Sequence, residues 1–166
     1  MDARRESEAT PMKNRTTVER KSARELVVTR TFNAPARIVF EAWTKPELMR
    51  RWWVPKSAGI TLLSCEMDVR TGGGYRFVFK HPAVPGETMA FFGKYVEVSP
   101  HSRLVWTNDE SGDAGQLSTL TLEDHGDTTR IVLLEVYPSA AAYEAAKGSY
   151  DGMPESFGQL DALLAG

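Results

Sequence analysis

Three side chains in strand-like segments have the chemistry for proton transfer. Glu135 and Tyr137 alternate along the apolar segment 128–137, and Arg76 lies between two aromatic residues earlier in the chain. A carboxyl group that is buried on an apolar strand face has a raised pKa, which suits acid–base work near neutral pH. Arg76 faces away from the interior if its aromatic neighbours face inward. These three residues are the first candidates for catalysis.

The inner face of segment 128–137 is left open by its residue pattern, because both faces are apolar. One face carries Val132 and Val136. The other carries Leu133 and Tyr137 together with Glu135. We slightly favour the orientation that leaves Glu135 in solvent, and the opposite orientation would bury it.

Aromatic residues alternate on two further strand-like segments. Tyr75, Phe77 and Phe79 share one face of the first segment, and Phe91 shares a face of the next segment with Tyr95. Alternation with period two places each of these two sets on one face of its own strand. For most of these residues, packing in the core is a sufficient explanation.

The other reactive residue types do not form a recognisable site. His81, His101 and His125 lie in or beside turns without the short spacing of metal ligands, so we predict exposed loop residues and no metal or cofactor. The only cysteine, Cys65, is expected to be a small buried hydrophobe. Residues 72–74 are three glycines between two strands, which favours a hairpin over a phosphate-binding loop, since the latter precedes a helix.

Composition excludes some classes of partner. The 166 residues carry a net charge of −2, and the isoelectric point is near 6.0, whereas nucleic-acid-binding domains usually have a strongly basic face. No apolar stretch approaches the roughly 18 residues of a membrane span, and the N-terminus lacks the apolar core of a signal peptide. We therefore expect a cytoplasmic protein that neither binds nucleic acid nor inserts into a membrane.

The order of elements predicts an α+β fold. Residues 1–23 are polar and lack hydrophobic period, so we expect a disordered or loosely attached tail before one domain at 24–166. Two short helices, 36–44 and 47–52, follow the first strand, and an amphipathic helix opened by Pro154 ends the chain. Short links between the strands imply an antiparallel sheet. The predicted strands are 26–32, 60–69, 75–80, 89–98, 103–107, 117–124 and 128–137.

Five clusters along residues 24–165 resemble the SRPBCC (START-like) superfamily, and especially its subfamily named after the heat-shock-protein-ninety ATPase activator, in its small bacterial stand-alone form. The clusters are 30–35 with 39–44, 46–48 with Trp52-Trp53, 68–73 with 75–77, 93–98 with 103–107, and the last helix with Gly152, Phe157, Leu160 and Leu163.

The resemblance implies a helix-grip fold, in which a curved antiparallel sheet of seven strands surrounds the long C-terminal helix. In START-like proteins the gap between sheet and helix is a ligand cavity. We therefore expect binding of a small apolar or amphipathic molecule. The expected wall residues are Trp52, Phe77, Phe79, Phe91, Trp106 and Phe157.

Two alternatives to simple binding stay open. One is an enzyme of the polyketide-cyclase kind that uses the same pocket through Glu135, Tyr137 and Arg76, although we lean towards a protein that is not an enzyme. The other is a co-chaperone-like protein-interaction module, as the subfamily name suggests. Homodimerisation through a sheet edge or the N-terminal tail is also left open.

Overall fold

The computed structural model describes residues 15–109 and 115–165. Within that part of the chain, eight strands form one curved antiparallel sheet in the order β1-β2-β8-β7-β6-β5-β4-β3. The strands are β1 (Thr17–Ser22), β2 (Glu25–Phe32), β3 (Thr61–Met67), β4 (Gly74–Lys80), β5 (Met89–Ser99), β6 (Arg103–Asn108), β7 (Gln116–Asp124) and β8 (Thr129–Val136). The helices are α1 (Ala36–Thr44), α2 (Pro46–Trp52), α3 (Ala140–Ala145), α4 (Lys147–Tyr150) and α5 (Met153–Ala165), with a 3₁₀ turn at Lys56–Ala58.

The helix-grip prediction is confirmed, but the predicted number of strands was one too low. The additional strand is β1, which pairs with β2 at one edge of the sheet and falls within the segment that we had assigned to a tail. All six of its residues are exposed. Because β1 buries no side chain, it has no hydrophobic period by which the sequence could reveal it. Residues 1–14 of the predicted tail lie outside the described residues.

Strand β5 joins the two halves of the sheet. Its first half pairs with β4 up to Lys94, and its second half pairs with β6 from Tyr95 onwards. The register shifts between Tyr95 and Glu97, which is the signature of a β-bulge. A bulge bends its strand and increases the local twist, so the sheet curves around α5.

Proline and serine residues set the ends of the helices. Pro35 precedes α1 in extended conformation, and Pro46 is the first residue of α2, where its missing N–H costs nothing. Ser139 caps α3, since its hydroxyl oxygen accepts a hydrogen bond from the N–H of Ala142. Helix α5 packs across the concave face of the sheet, where Phe157 meets Phe32 with ring centroids 5.9 Å apart.

The inner face of β8 is the one that includes Glu135, opposite to the orientation that we had slightly favoured. Thr129, Ile131, Leu133 and Glu135 are buried in alternation with half-buried residues. Leu133 lies opposite the buried residues Leu120 and Val28 on the two neighbouring strands. The neighbouring strands β2 and β7 therefore decide which face of β8 is buried. The residue pattern of β8 alone does not show it.

Candidate functional site

A row of three polar side chains lies on the concave face of the sheet. Gln116 and Ser118 come from β7, and Glu135 lies directly opposite Ser118 on β8. Glu135 is only 7% exposed and Ser118 only 2%. The Ser118 hydroxyl donates a short hydrogen bond to the Glu135 carboxylate, and the side chain of Gln116 is a second hydrogen-bond partner. We call Gln116, Ser118 and Glu135 the polar row.

Burial changes the acid–base behaviour of this row. It raises the pKa of Glu135 to about 7, and the hydrogen bonds from Ser118 and Gln116 oppose the rise. The pKa of Tyr137 is also raised, first by burial and then by the nearby negative charge of Glu135. Near neutral pH, Glu135 can therefore accept or donate a proton, whereas Tyr137 keeps its proton and acts as a donor.

Three tyrosines pack against one another just after the end of β8. The Tyr137 and Tyr143 ring centroids are 5.4 Å apart, and so are those of Tyr143 and Tyr150. The guanidinium of Arg20 lies 4.1 Å from the centre of the Tyr143 ring. These contacts link β1, the residue that follows β8, α3 and α4, so they tie the segment before α5 to the sheet.

A cluster of aromatic residues fills the centre of the concave face. The Trp43 ring centroid is 4.8 Å from that of Trp52, 5.9 Å from that of Phe157 and 6.1 Å from that of Trp106. Trp106 lies directly opposite Ser118, so the cluster adjoins the polar row. The structure thus brings together three predicted wall residues, which are Trp52, Trp106 and Phe157.

The other three predicted wall residues form a second cluster around Trp53. The Trp53 ring centroid is 4.8 Å from that of Phe77, 6.3 Å from that of Phe79 and 5.3 Å from that of Phe91. Trp53 was not among the predicted wall residues, although it directly follows Trp52. Trp53, Phe79 and Phe91 are half-buried and Phe77 is buried, so this cluster lies partly at the surface.

Arg76 does not join Glu135 and Tyr137. Its side chain is exposed on the opposite face of β4, and its guanidinium lies 5.6 Å from the centre of the Phe92 ring. Because its neighbours on β4 face inward, alternation along the strand turns Arg76 outward. Of the three catalytic candidates, the structure therefore places only Glu135 and Tyr137 on the same face.

Cys65 and the three histidines are the remaining reactive residues. Cys65 is buried, and burial raises the pKa of its thiol to about 11. His101 and His125 are exposed and His81 is half-buried. Within residues 15–109 and 115–165, no three His, Cys, Asp or Glu residues are grouped to hold a metal ion. Gly72 and Gly73 lie in the turn between β3 and β4, as predicted, and Gly72 has a φ of 90°, whereas Gly74 is the first residue of β4.

Two open concavities lie outside the aromatic interior. One, of about 350 Å³, lies among α1, α2 and α5, and the other, of about 490 Å³, covers the glycine turn. Neither is lined by a residue of the polar row. Inside, the predicted wall residues pack against one another, so a molecule that binds there must separate them.

Sequence reasoning missed Ser118, Gln116 and Tyr143. The signal for the first two was present, because Leu120 and Leu122 continue the same alternation along β7 and place all four residues on one face. Tyr143 is the only large residue in the alanine-rich helix α3 and is the one buried there. Its size within such a helix marks the point of contact with the sheet.

Residues 33–165 match the family model described as Activator of Hsp90 ATPase homolog 1-like protein. The chain belongs to this family. The resemblance to the START-like superfamily noted from the sequence is thereby confirmed. The search of curated proteins found no match to this chain. Among the described residues, no helix is both long and apolar enough to cross a membrane.

Solved structures of related proteins share the fold. A crystal structure of a protein from Rhodobacter sphaeroides is 26% identical, covers 90% of this chain and 97% of its own, and has a TM-score of 0.78. One from Chromobacterium violaceum is 27% identical, covers 86% and 98%, and has a TM-score of 0.72. An AHSA1-like protein from Aeromonas hydrophila is 14% identical, covers 82% and 93%, and has a TM-score of 0.66.

Proposed function

We propose that the protein binds a small hydrophobic or amphipathic molecule between the curved sheet and α5. The observation that supports this most is the polar row, which lies buried beside the aromatic cluster. Burying a carboxyl group in an apolar interior costs free energy, and an apolar side chain at position 135 would avoid that cost. Breaks in local design of this kind are expected at functional sites.

The arrangement suits a molecule with an apolar body and one polar group. The body would lie against the rings of Trp106 and Phe157, and the polar group would reach Glu135 and Ser118. Pockets of this composition, apolar with a few placed polar groups, are typical of small-molecule sites. Half-buried Trp53 and Phe91 lie where the aromatic interior reaches the surface, so their movement would open a path to it.

Native mass spectrometry of protein purified gently from its own host tests this proposal. We expect excess mass that disappears on denaturation. Ser118→Val and Thr119→Val form a matched pair, because they are adjacent on β7 and face opposite sides of the sheet. The excess should fall in the first variant and persist in the second. A clean mass for the wild-type protein, or equal loss in both variants, would contradict binding at the polar row.

The raised pKa of Glu135 favours a second candidate, an enzyme of the polyketide-cyclase kind. A group that titrates near pH 7 is suited to general acid–base catalysis, and Tyr137 is a neutral donor beside it. Incubating the co-purified molecule with wild-type protein and with Glu135→Gln tests this. Product formed by the wild type but not by the variant, with binding retained in both, would support catalysis. If the mass and the chromatographic retention of the bound molecule both stay unchanged in the wild type, turnover of that molecule is contradicted.

A further inference from the structure

The indole N–H of Trp43 lacks a hydrogen-bond partner. Trp43 is on α1 and is only 6% exposed, and no acceptor among residues 15–109 and 115–165 lies within reach of its Nε1. The neighbouring Trp52 is different, because its Nε1 donates to the carbonyl oxygen of Ala42 at 3.0 Å. Two packed indoles thus differ in one respect, that one N–H is paired and the other is not.

An unpaired N–H in a protein interior requires an explanation, because the large majority of buried side-chain polar atoms have a hydrogen-bond partner. An indole N–H can only donate, so the partner that would satisfy it is an acceptor. A phenylalanine at position 43 would present an apolar ring without an unpaired donor. Packing of the ring therefore explains an aromatic residue at position 43, but it does not explain the indole N–H group.

The position of Trp43 relates this donor to the proposed binding region. Its ring contacts Trp106 and Phe157, the two side chains against which the apolar body of a ligand would lie. Trp106 in turn is opposite Ser118 in the sheet. The unpaired donor and the polar row thus belong to residues that both adjoin Trp106.

We propose that Trp43 is a ligand-binding residue whose indole N–H donates a hydrogen bond to an acceptor oxygen of the bound molecule. The inference rests on the proposed function and narrows it. The ligands are apolar molecules that carry a carbonyl or ether oxygen, rather than pure hydrocarbons. A site built to form such a bond discriminates against an analogue that lacks the acceptor.

Two probes of nearly equal shape distinguish the effect of the acceptor oxygen on affinity from the effect of the apolar body. In 2-acetylnaphthalene a carbonyl oxygen is present, and in 2-isopropenylnaphthalene a methylene group replaces it. We expect the ketone to bind roughly fivefold to tenfold more tightly, as measured by quenching of tryptophan fluorescence, since one net hydrogen bond is worth about that factor. Trp43→Phe should remove most of this preference.

Nuclear magnetic resonance of wild-type protein labelled with ¹⁵N at tryptophan gives a readout that needs no altered core. The ketone should move the Trp43 indole proton downfield, whereas the Trp52 indole proton, already bonded to Ala42, should stay in place. Triple-resonance experiments on the wild-type protein assign the four indole signals.

The outcomes distinguish this inference from the proposed function. Equal binding of both probes with an unmoved Trp43 signal would overturn the role of Trp43 and leave interior binding intact. Binding of neither probe to the wild-type protein would count against interior binding itself. A downfield shift at Trp43 that the hydrocarbon does not produce supports both.

Discussion

The buried carboxyl of Glu135 should make the stability of the protein depend on pH. The ordinary pKa of 4.5 applies in the unfolded chain, and the pKa in the folded protein is about 7. Between these values the folded state retains a proton that the unfolded state has lost. The contribution of Glu135 to the free energy of unfolding therefore falls as the pH rises through this window and is constant above it. The loss is about 3 kcal/mol, at about 1.4 kcal/mol for each pH unit between the two pKa values.

Glu135→Gln removes this dependence while keeping the shape of the side chain. The free energy of unfolding of the variant minus that of the wild type should increase by about 3 kcal/mol from pH 4.5 to pH 8, because glutamine is neutral throughout. Urea denaturation at several pH values, followed by circular dichroism, measures the difference between the two free energies of unfolding. Using the difference cancels the contributions of all other titrating groups.

Glu66→Gln is the matched control, because Glu66 is an exposed strand carboxylate. A Glu135→Gln difference that varies with pH no more than the Glu66→Gln difference would mean that the carboxyl of Glu135 is solvated or charge-compensated in the folded protein. The reasoning on the polar row would then be wrong.

Two further substitutions test the packing that holds the site in place. Gly93→Ala should destabilise the fold by about 2 kcal/mol or more in urea denaturation, because its new methyl group would overlap the carbonyl oxygen of Thr107. The control is Gly158→Ala in α5, where a methyl group meets no atom within 4 Å. This variant should be as stable as the wild type or more stable by up to about 1 kcal/mol. Gln159→Ala should cost about 2 kcal/mol in the same assay, because its amide donates to the main-chain carbonyl groups of Trp52 and Val54 and accepts from the main-chain N–H of Lys56. Equal effects at the two glycines, or no loss at Gln159, would contradict these assignments.

The architecture was largely predictable from the sequence because local signals mark most of its elements. Pro35 and Pro46 fix the starts of α1 and α2, and the predicted bounds of α1 agree with the structure. Strands with one apolar and one polar face were found because alternation reveals them. Strand β1 was not, because it pairs through its main chain alone and its side chains remain in solvent.

The candidate site was less predictable, because its geometry depends on contacts between distant segments. Glu135 was recognised as a candidate, but its orientation is set by β2 and β7 rather than by its own strand. The unpaired indole N–H of Trp43 could not be predicted either, since the sequence gives no sign that Trp52 finds an acceptor and the neighbouring Trp43 does not.

The position of β8 between β2 and β7 has a consequence for the order of folding. Thr129 on β8 donates a hydrogen bond to the carbonyl oxygen of Ala34, 95 residues earlier in the chain. Contacts over such separations are slow to form, because a long loop must close before they are rewarded. During synthesis β2 can pair at once with β1 on one side, but on its other side it waits for β8 until most of the chain has emerged. Glu135 enters its environment only at that stage, so the free-energy cost of burying a carboxyl group falls late in folding, after β6 and β7 can already have paired.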